Sequence, residues 1–128
     1  MKIWNYGWAA ARRAMGTRGP EQDTYNGKHG LPATADLAIK KARASAFDAL
    51  VIPGGYSPDH MRRTPAMAAF VKDMHKAGKV IGTICHGPWM LASAEIIDGV
   101  RLTSFFSIVD DLKHAGAKWE DAPVVVDK

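Results

Sequence analysis

The chain has 128 residues, 47% of them hydrophobic and 23% charged, which is enough for one domain with a real core. No apolar run reaches the roughly 20 residues of a membrane helix, the start lacks a signal-peptide core, and a single cysteine permits no internal disulfide. The formal charge of +4 comes from scattered basic residues, so a cytoplasmic protein with a solvated surface is expected, without nucleic acid or membrane partners.

In chain order, Met1 to Tyr6 reads as a short strand and Trp8 to Met15 as a short helix rich in alanine and arginine. Gly16 to Gly30 is glycine-rich and reads as loop. Leu31 to Leu37 alternates weakly, as an edge strand does, with Pro32 tolerated near its start. Ile39 to Ala46 is polar and alanine-rich, the pattern of a helical turn. Phe47 to Ile52 is a buried strand ending at Pro53, Gly54 and Gly55. A double glycine lets backbone N–H groups approach a ligand closely, although a plain tight turn uses the same residues. Thr64 caps the next helix, Pro65 opens it and Gly78 ends it. Met67, Phe70, Val71 and Met74 form its core stripe, and His75 sits near its C-terminus, where a cation is favoured.

The stretch Lys79 to Trp89, KVIGTICHGPW, organises the rest. Val80, Ile81, Thr83 and Ile84 form a β-branched run of the kind a buried parallel strand uses. Cys85, the only cysteine, follows at once, then His86, Gly87 and Pro88, and Trp89 to Ala92 continues as helix. Strand, nucleophile, tight turn and helix is the layout of a nucleophile elbow, with cysteine in place of serine. The sulfur then lies near the positive end of a helix, which favours the thiolate. A lone cysteine is more often a small buried hydrophobe. The adjacent His86 and the strand–turn–helix setting favour the reactive reading.

Gly99 closes that segment, and Val100 to Ser104 reads as another strand. Ser107 starts a helix with Asp110 and Asp111 in its first turn and Lys113 and His114 in its last, followed by Gly116. That charge order suits the helix dipole and explains the aspartates better than an acid pair does. Val124 to Val126 reads as a last strand. The five histidines show no ligand spacing, so neither metal nor cofactor is expected. Alternating strands and helices predict a parallel sheet covered on both faces, with a site outside the carboxyl ends of the strands. The loops at Gly54-Gly55 and at Cys85 should converge there.

The block GTICHGPWMLASA, preceded by FDALVIPGGYSPDHMRR and followed by LTSFFSIVDDLKHAGAKW, resembles the PfpI intracellular-protease family, also called the ThiJ group; GKHG at Gly27 to Gly30 belongs to the same pattern. The resemblance implies an α/β three-layer sandwich, flavodoxin-like and class I glutamine-amidotransferase-like, with a mostly parallel sheet. It runs from Thr24 to Lys128, leaving 1–23 as a divergent N-terminal segment and 24–128 as a PfpI-like domain, short at its C-terminus. The fold is therefore expected to be incomplete, marginally stable and weak in catalysis.

The resemblance further implies Cys85 as nucleophile, His86 as its partner and Asp59 of GGYSPD as an acid reaching the histidine of a neighbouring subunit. A homo-oligomer, dimer or hexamer, would then complete the site. By itself Asp59 reads as a turn former. The implied oxyanion donors are the backbone N–H groups of Gly55 and His86, with Gly54 and Gly87 lining the substrate site. The family's second acid, on an N-terminal loop, has no counterpart here. The implied activity is a cysteine-dependent hydrolase, acting either on peptides or as a glyoxalase-deglycase on methylglyoxal adducts. A redox sensor or stress chaperone using Cys85 without turnover, and an inactive remnant, stay open as alternatives.

Overall fold

The computed structural model describes residues 7–10, 13–16, 24–26, 32–35 and 37–127. Its central sheet has the order β2-β1-β5-β6, built from β1 (Gly7–Ala10), β2 (Arg13–Gly16), β5 (Ala49–Ile52) and β6 (Val80–Thr83). β5 and β6 run parallel, with Leu50 opposite Ile81 and Ile52 opposite Thr83. Two small sheets accompany it. One pairs β3 (Thr24–Asn26) with β4 (Pro32–Thr34), antiparallel, and the other pairs β7 (Arg101–Leu102) with β8 (Lys118–Trp119), parallel.

The helical layer follows from the apolar spacing. In α2 (Pro65–Lys76) the residues Met67, Phe70, Val71 and Met74 are all buried, at the spacing of one helix face. Thr64 occupies the cap position in extended conformation, but its side chain makes no capping hydrogen bond. Gly78 ends the helix at φ +66°, where Lys79 N–H donates to Met74 O at 3.0 Å, a left-handed stop that glycine adopts without a Cβ clash. The α2 stripe packs with Phe47, Leu50 and Ile52 and with Met61 of α1 (Ser57–Arg62) and Met90 of α3 (Trp89–Ser93). Phe47 meets Phe70 edge-on at 5.7 Å. A second cluster joins Ile97, Leu102, Ile108 and Ala117 to Leu112 of α4 (Val109–His114). Leu91 and Ile96 pack against both clusters, and each fully buried side chain of this size contributes about 1.5–3 kcal/mol.

Five expectations need correction or placing. The described part of the helix expected over Trp8 to Met15 is strand: β1 pairs antiparallel with β2, Trp8 opposite Met15, and Ala9 and Ala10 pair with Val51 and Leu50. The β5 edge has backbone groups that require partners, and that demand overrides a weak helix propensity. The expected strand at Met1 to Tyr6 lies outside the described residues, as does GKHG. Val80 and Ile84 are not buried but 71% and 66% exposed, because among the described residues only one face of β6 is covered. Val124 to Val126 forms no strand, and Val124 and Val126 are exposed. The ladder of β7 is taken by β8, and the chain's end is tied to it by the Asp127 carboxylate, which accepts from Arg101 N–H at 2.9 Å. Ile39 to Ala46, expected as a helical turn, forms two short 3₁₀ turns, Ile39–Lys41 and Ala44–Ala46.

Candidate active site

Three loops meet at the carboxyl ends of β5, β6 and β7, the place where open α/β sheets carry their sites. The β6 loop supplies the centre. Cys85 stands at φ +60°, in the left-handed region, which costs an ordinary L-residue roughly 1–2 kcal/mol. Such strain is kept only where the surroundings fix it, and here they do. Cys85 O accepts from Phe105 N–H at 3.0 Å, and Gly87 N–H closes the turn onto Ile84 O at 2.9 Å. α3 then begins at Trp89.

The two flanking glycines are required for space. A Cβ on Gly54 would lie 2.4 Å from Cys85 Cβ and 3.0 Å from its sulfur, so the β5 loop presses its backbone directly on the cysteine. A Cβ on Gly87 would fall 2.6 Å from Ile52 O. Gly87 is thus a packing glycine whose N–H is already used in the turn. Gly55, at φ +70°, has open space around it. The backbone N–H groups of Gly55 and His86 have no backbone acceptor among the described residues.

Cys85 and His86 do point at one another: Sγ lies 3.2 Å from His86 Nδ1. The other ring nitrogen, Nε2, is 3.2 Å from Ser107 Oγ on the β7 loop. Two rings pack on the imidazole, Trp89 edge-on at 5.1 Å and Phe105 at a tilt at 5.0 Å between centroids. Trp89 is itself fixed, donating Nε1–H to Asp111 Oδ2 at 2.8 Å and lying under the Arg62 guanidinium at 5.5 Å. Cys85 and His86 are both half-buried, so the thiol is within reach of solvent. Asp59 is not part of this arrangement within one chain. It lies in the first turn of α1 and forms an ion pair with Arg63. Ser107, Trp89 and Phe105 carried no signal as site residues in the sequence. Their common mark is position, at or after the carboxyl end of a strand or turn, and only the fold reveals it.

Among the described residues no three His, Cys, Asp or Glu side chains converge as a metal site would require, and no helix is long and apolar enough to cross a membrane. The arrangement is a thiol with an imidazole in proton-transfer range.

The chain is 46% identical over 101 residues to a deglycase of Thermococcus kodakarensis, covering 79% of this chain and 61% of that protein. It is 43% identical over 106 residues to the protein/nucleic acid deglycase 2 of Escherichia coli, covering 82% of this chain and 62% of that one. The chain therefore spans less than two thirds of the length of these relatives. A two-domain protein of Anabaena variabilis, with DJ-1/ThiJ/PfpI-like and ferritin-like domains, superposes with a TM-score of 0.81 at 42% identity, over 88% of this chain and 32% of that one. The family model of the DJ-1/PfpI proteins matches residues 9–128, and the chain belongs to that family.

Proposed function

We propose that the chain carries the catalytic part of a cysteine-dependent hydrolase of the deglycase type, with Cys85 as nucleophile and His86 as general base. The observation that carries this reading is the 3.2 Å approach of Cys85 Sγ to His86 Nδ1 at a strained strand-to-helix turn. Relatives are named as deglycases, and with the glyoxalase-deglycase activity that the family resemblance implies, the reading takes as substrates adducts in which methylglyoxal has added to an amine. In the proposed sequence His86 takes the thiol proton and the sulfur bonds to the carbinol carbon of the adduct, displacing the amine nitrogen from it. The hydroxyl oxygen on that carbon is placed to accept from the N–H groups of Gly55 and His86. His86 then returns its proton to the departing amine as the carbon–nitrogen bond breaks. Water releases the remaining fragment from sulfur, and the thiol is restored.

Asp59 enters this proposal only through a second copy of the chain. Its carboxylate would reach the neighbour's His86 in a homo-oligomer, by a contact through the exposed Tyr56 and the α1 turn. The test of the central claim is release of free amine from methylglyoxal-treated N-acetyl-lysine or N-acetyl-arginine. Wild type should release it, and Cys85→Ser should lower the rate by at least about 10²-fold. Equal rates for the two proteins would remove the nucleophile assignment. An oxidation-sensitive thiol with no release by wild type would favour the sensor reading instead.

A further inference from the structure

We propose that Ser107 is a positioning residue for His86, setting which ring nitrogen carries the proton. This rests on the reading of Cys85 and His86 as nucleophile and base. A neutral imidazole has one donor and one acceptor nitrogen, and whichever hydrogen bond the far nitrogen makes decides the near one. To take a proton from Cys85, Nδ1 must be the acceptor, so Nε2 must hold the hydrogen. The atom facing Nε2 is Ser107 Oγ at 3.2 Å. A hydroxyl can donate or accept; accepting from Nε2–H is the arrangement that leaves Nδ1 free for the thiol proton, and that contact strengthens once His86 has taken the proton and become cationic. Proton transfer from Cys85 to Nδ1 is therefore favoured twice, by tautomer and by stabilisation of the imidazolium.

Nothing else on the described chain is placed to do this. Trp89 packs on the ring edge-on and Phe105 at a tilt, and neither side chain offers Nε2 an acceptor. The charged groups nearest on the packed helices, Arg62 of α1 and Asp111 of α4, both engage Trp89. Asp59 is ion-paired to Arg63. Ser107 reaches the ring because its 3₁₀ turn, Phe106–Ile108, begins directly after Phe105, whose N–H is bonded to Cys85 O. The backbone that fixes the cysteine also delivers the hydroxyl. Within a single chain, then, the orienting partner of His86 is Ser107.

Two measurements that do not depend on turnover test this. In Cys85→Ser protein, nitrogen-15 shifts of His86 followed across a pH series should report the Nε2–H tautomer for the neutral ring. The Nδ1–H tautomer would overturn the assignment. Second, iodoacetamide alkylation of Cys85 at neutral pH should slow by roughly three- to tenfold in Ser107→Ala. Ser107→Thr, which keeps the hydroxyl, should restore it, and Gly82→Ala, whose added Cβ meets nothing within 4 Å, should leave it unchanged. Alkylation in Ser107→Ala equal to wild type overturns the proposal even if wild type is an active hydrolase. If wild type lacks hydrolase activity but both readouts move as stated, the positioning role stands and the hydrolase reading falls.

Discussion

At the scale of single residues the site is a set of steric demands around one strained cysteine. Gly54→Ala places a Cβ 2.4 Å from Cys85 Cβ, so backbone or nucleophile must shift. A shift of about 1 Å costs on the order of 10²-fold in rate, and overpacking costs about 1–3 kcal/mol. Gly82→Ala is the control, since its Cβ meets nothing within 4 Å. Thermal melting and alkylation of Cys85 should therefore change for Gly54→Ala and stay near wild type for Gly82→Ala; the reverse order would refute the steric account. A second comparison isolates backbone strain. Cys85→Gly and Cys85→Ala both lack the thiol, but only glycine relieves the φ of +60°. The glycine variant should be the more stable by roughly 1 kcal/mol in denaturant melts, and equal stability would mean that the turn is unstrained. The Cys85–His86 pair was legible in the sequence because adjacency and the elbow pattern are local. Ser107 was not, since 21 positions separate it from His86 and only the β7 loop brings the two together.

At the scale of elements, the best-read segments were those where a local pattern and the tertiary demand agree. The α2 stripe is one, and the parallel β5–β6 pair leading to Gly54 and Cys85 is the other. The misread segments are those where a distant edge decides. β1 and β2 adopt strand pairing because β5 has an open edge, and no property of Trp8 to Met15 alone signals that. After Glu120, whose N–H still donates to Leu102 O at 2.9 Å, the segment following β8 is tied to β7 by side chains. Arg101 Nε and a second guanidinium nitrogen donate to the Glu120 carboxylate at 2.6 and 3.0 Å. The hydrogen bond from Arg101 lowers the Glu120 carboxyl from its ordinary value, against a smaller opposing effect of burial. Because the folded value is the lower one, the tie is fully present above the ordinary glutamate range and is lost as pH falls through the folded value. Amide exchange in residues 120–127 should therefore rise below about pH 4 while α2 and β5 stay protected. Uniform protection across both regions at low pH would show that the ion pair holds nothing. Lys72 lowers Glu95 in the same way, so the joint between α2 and the end of α3 should loosen in the same acid range.

At the scale of the whole molecule, the question is what one chain lacks. Cys85, His86 and Ser107 meet within a single chain, yet Asp59 faces Arg63, and Tyr56 beside it is 75% exposed. The ion pair of Asp59 and Arg63 is an exposed i, i+4 pair on a short helix, worth about 0.3–0.5 kcal/mol. Its loss alone can shift neither folding nor activity by much. Asp59→Ala therefore separates the two accounts by magnitude. If Asp59 serves only its own helix, the variant should melt within about 0.5 kcal/mol of wild type and keep its rate. If it completes a neighbour's site, the variant should melt just as well but lose more than about tenfold in amine release, because a carboxylate near the imidazolium is removed from the assembled site. Sedimentation supplies the second axis. Wild type should be oligomeric at the concentrations where it is active, Tyr56→Lys should shift it toward monomer, and the rate should fall with it. A monomeric wild type with full activity, unaffected by Asp59→Ala, would confine the whole mechanism to one chain and leave Ser107 as the sole orienting group of His86.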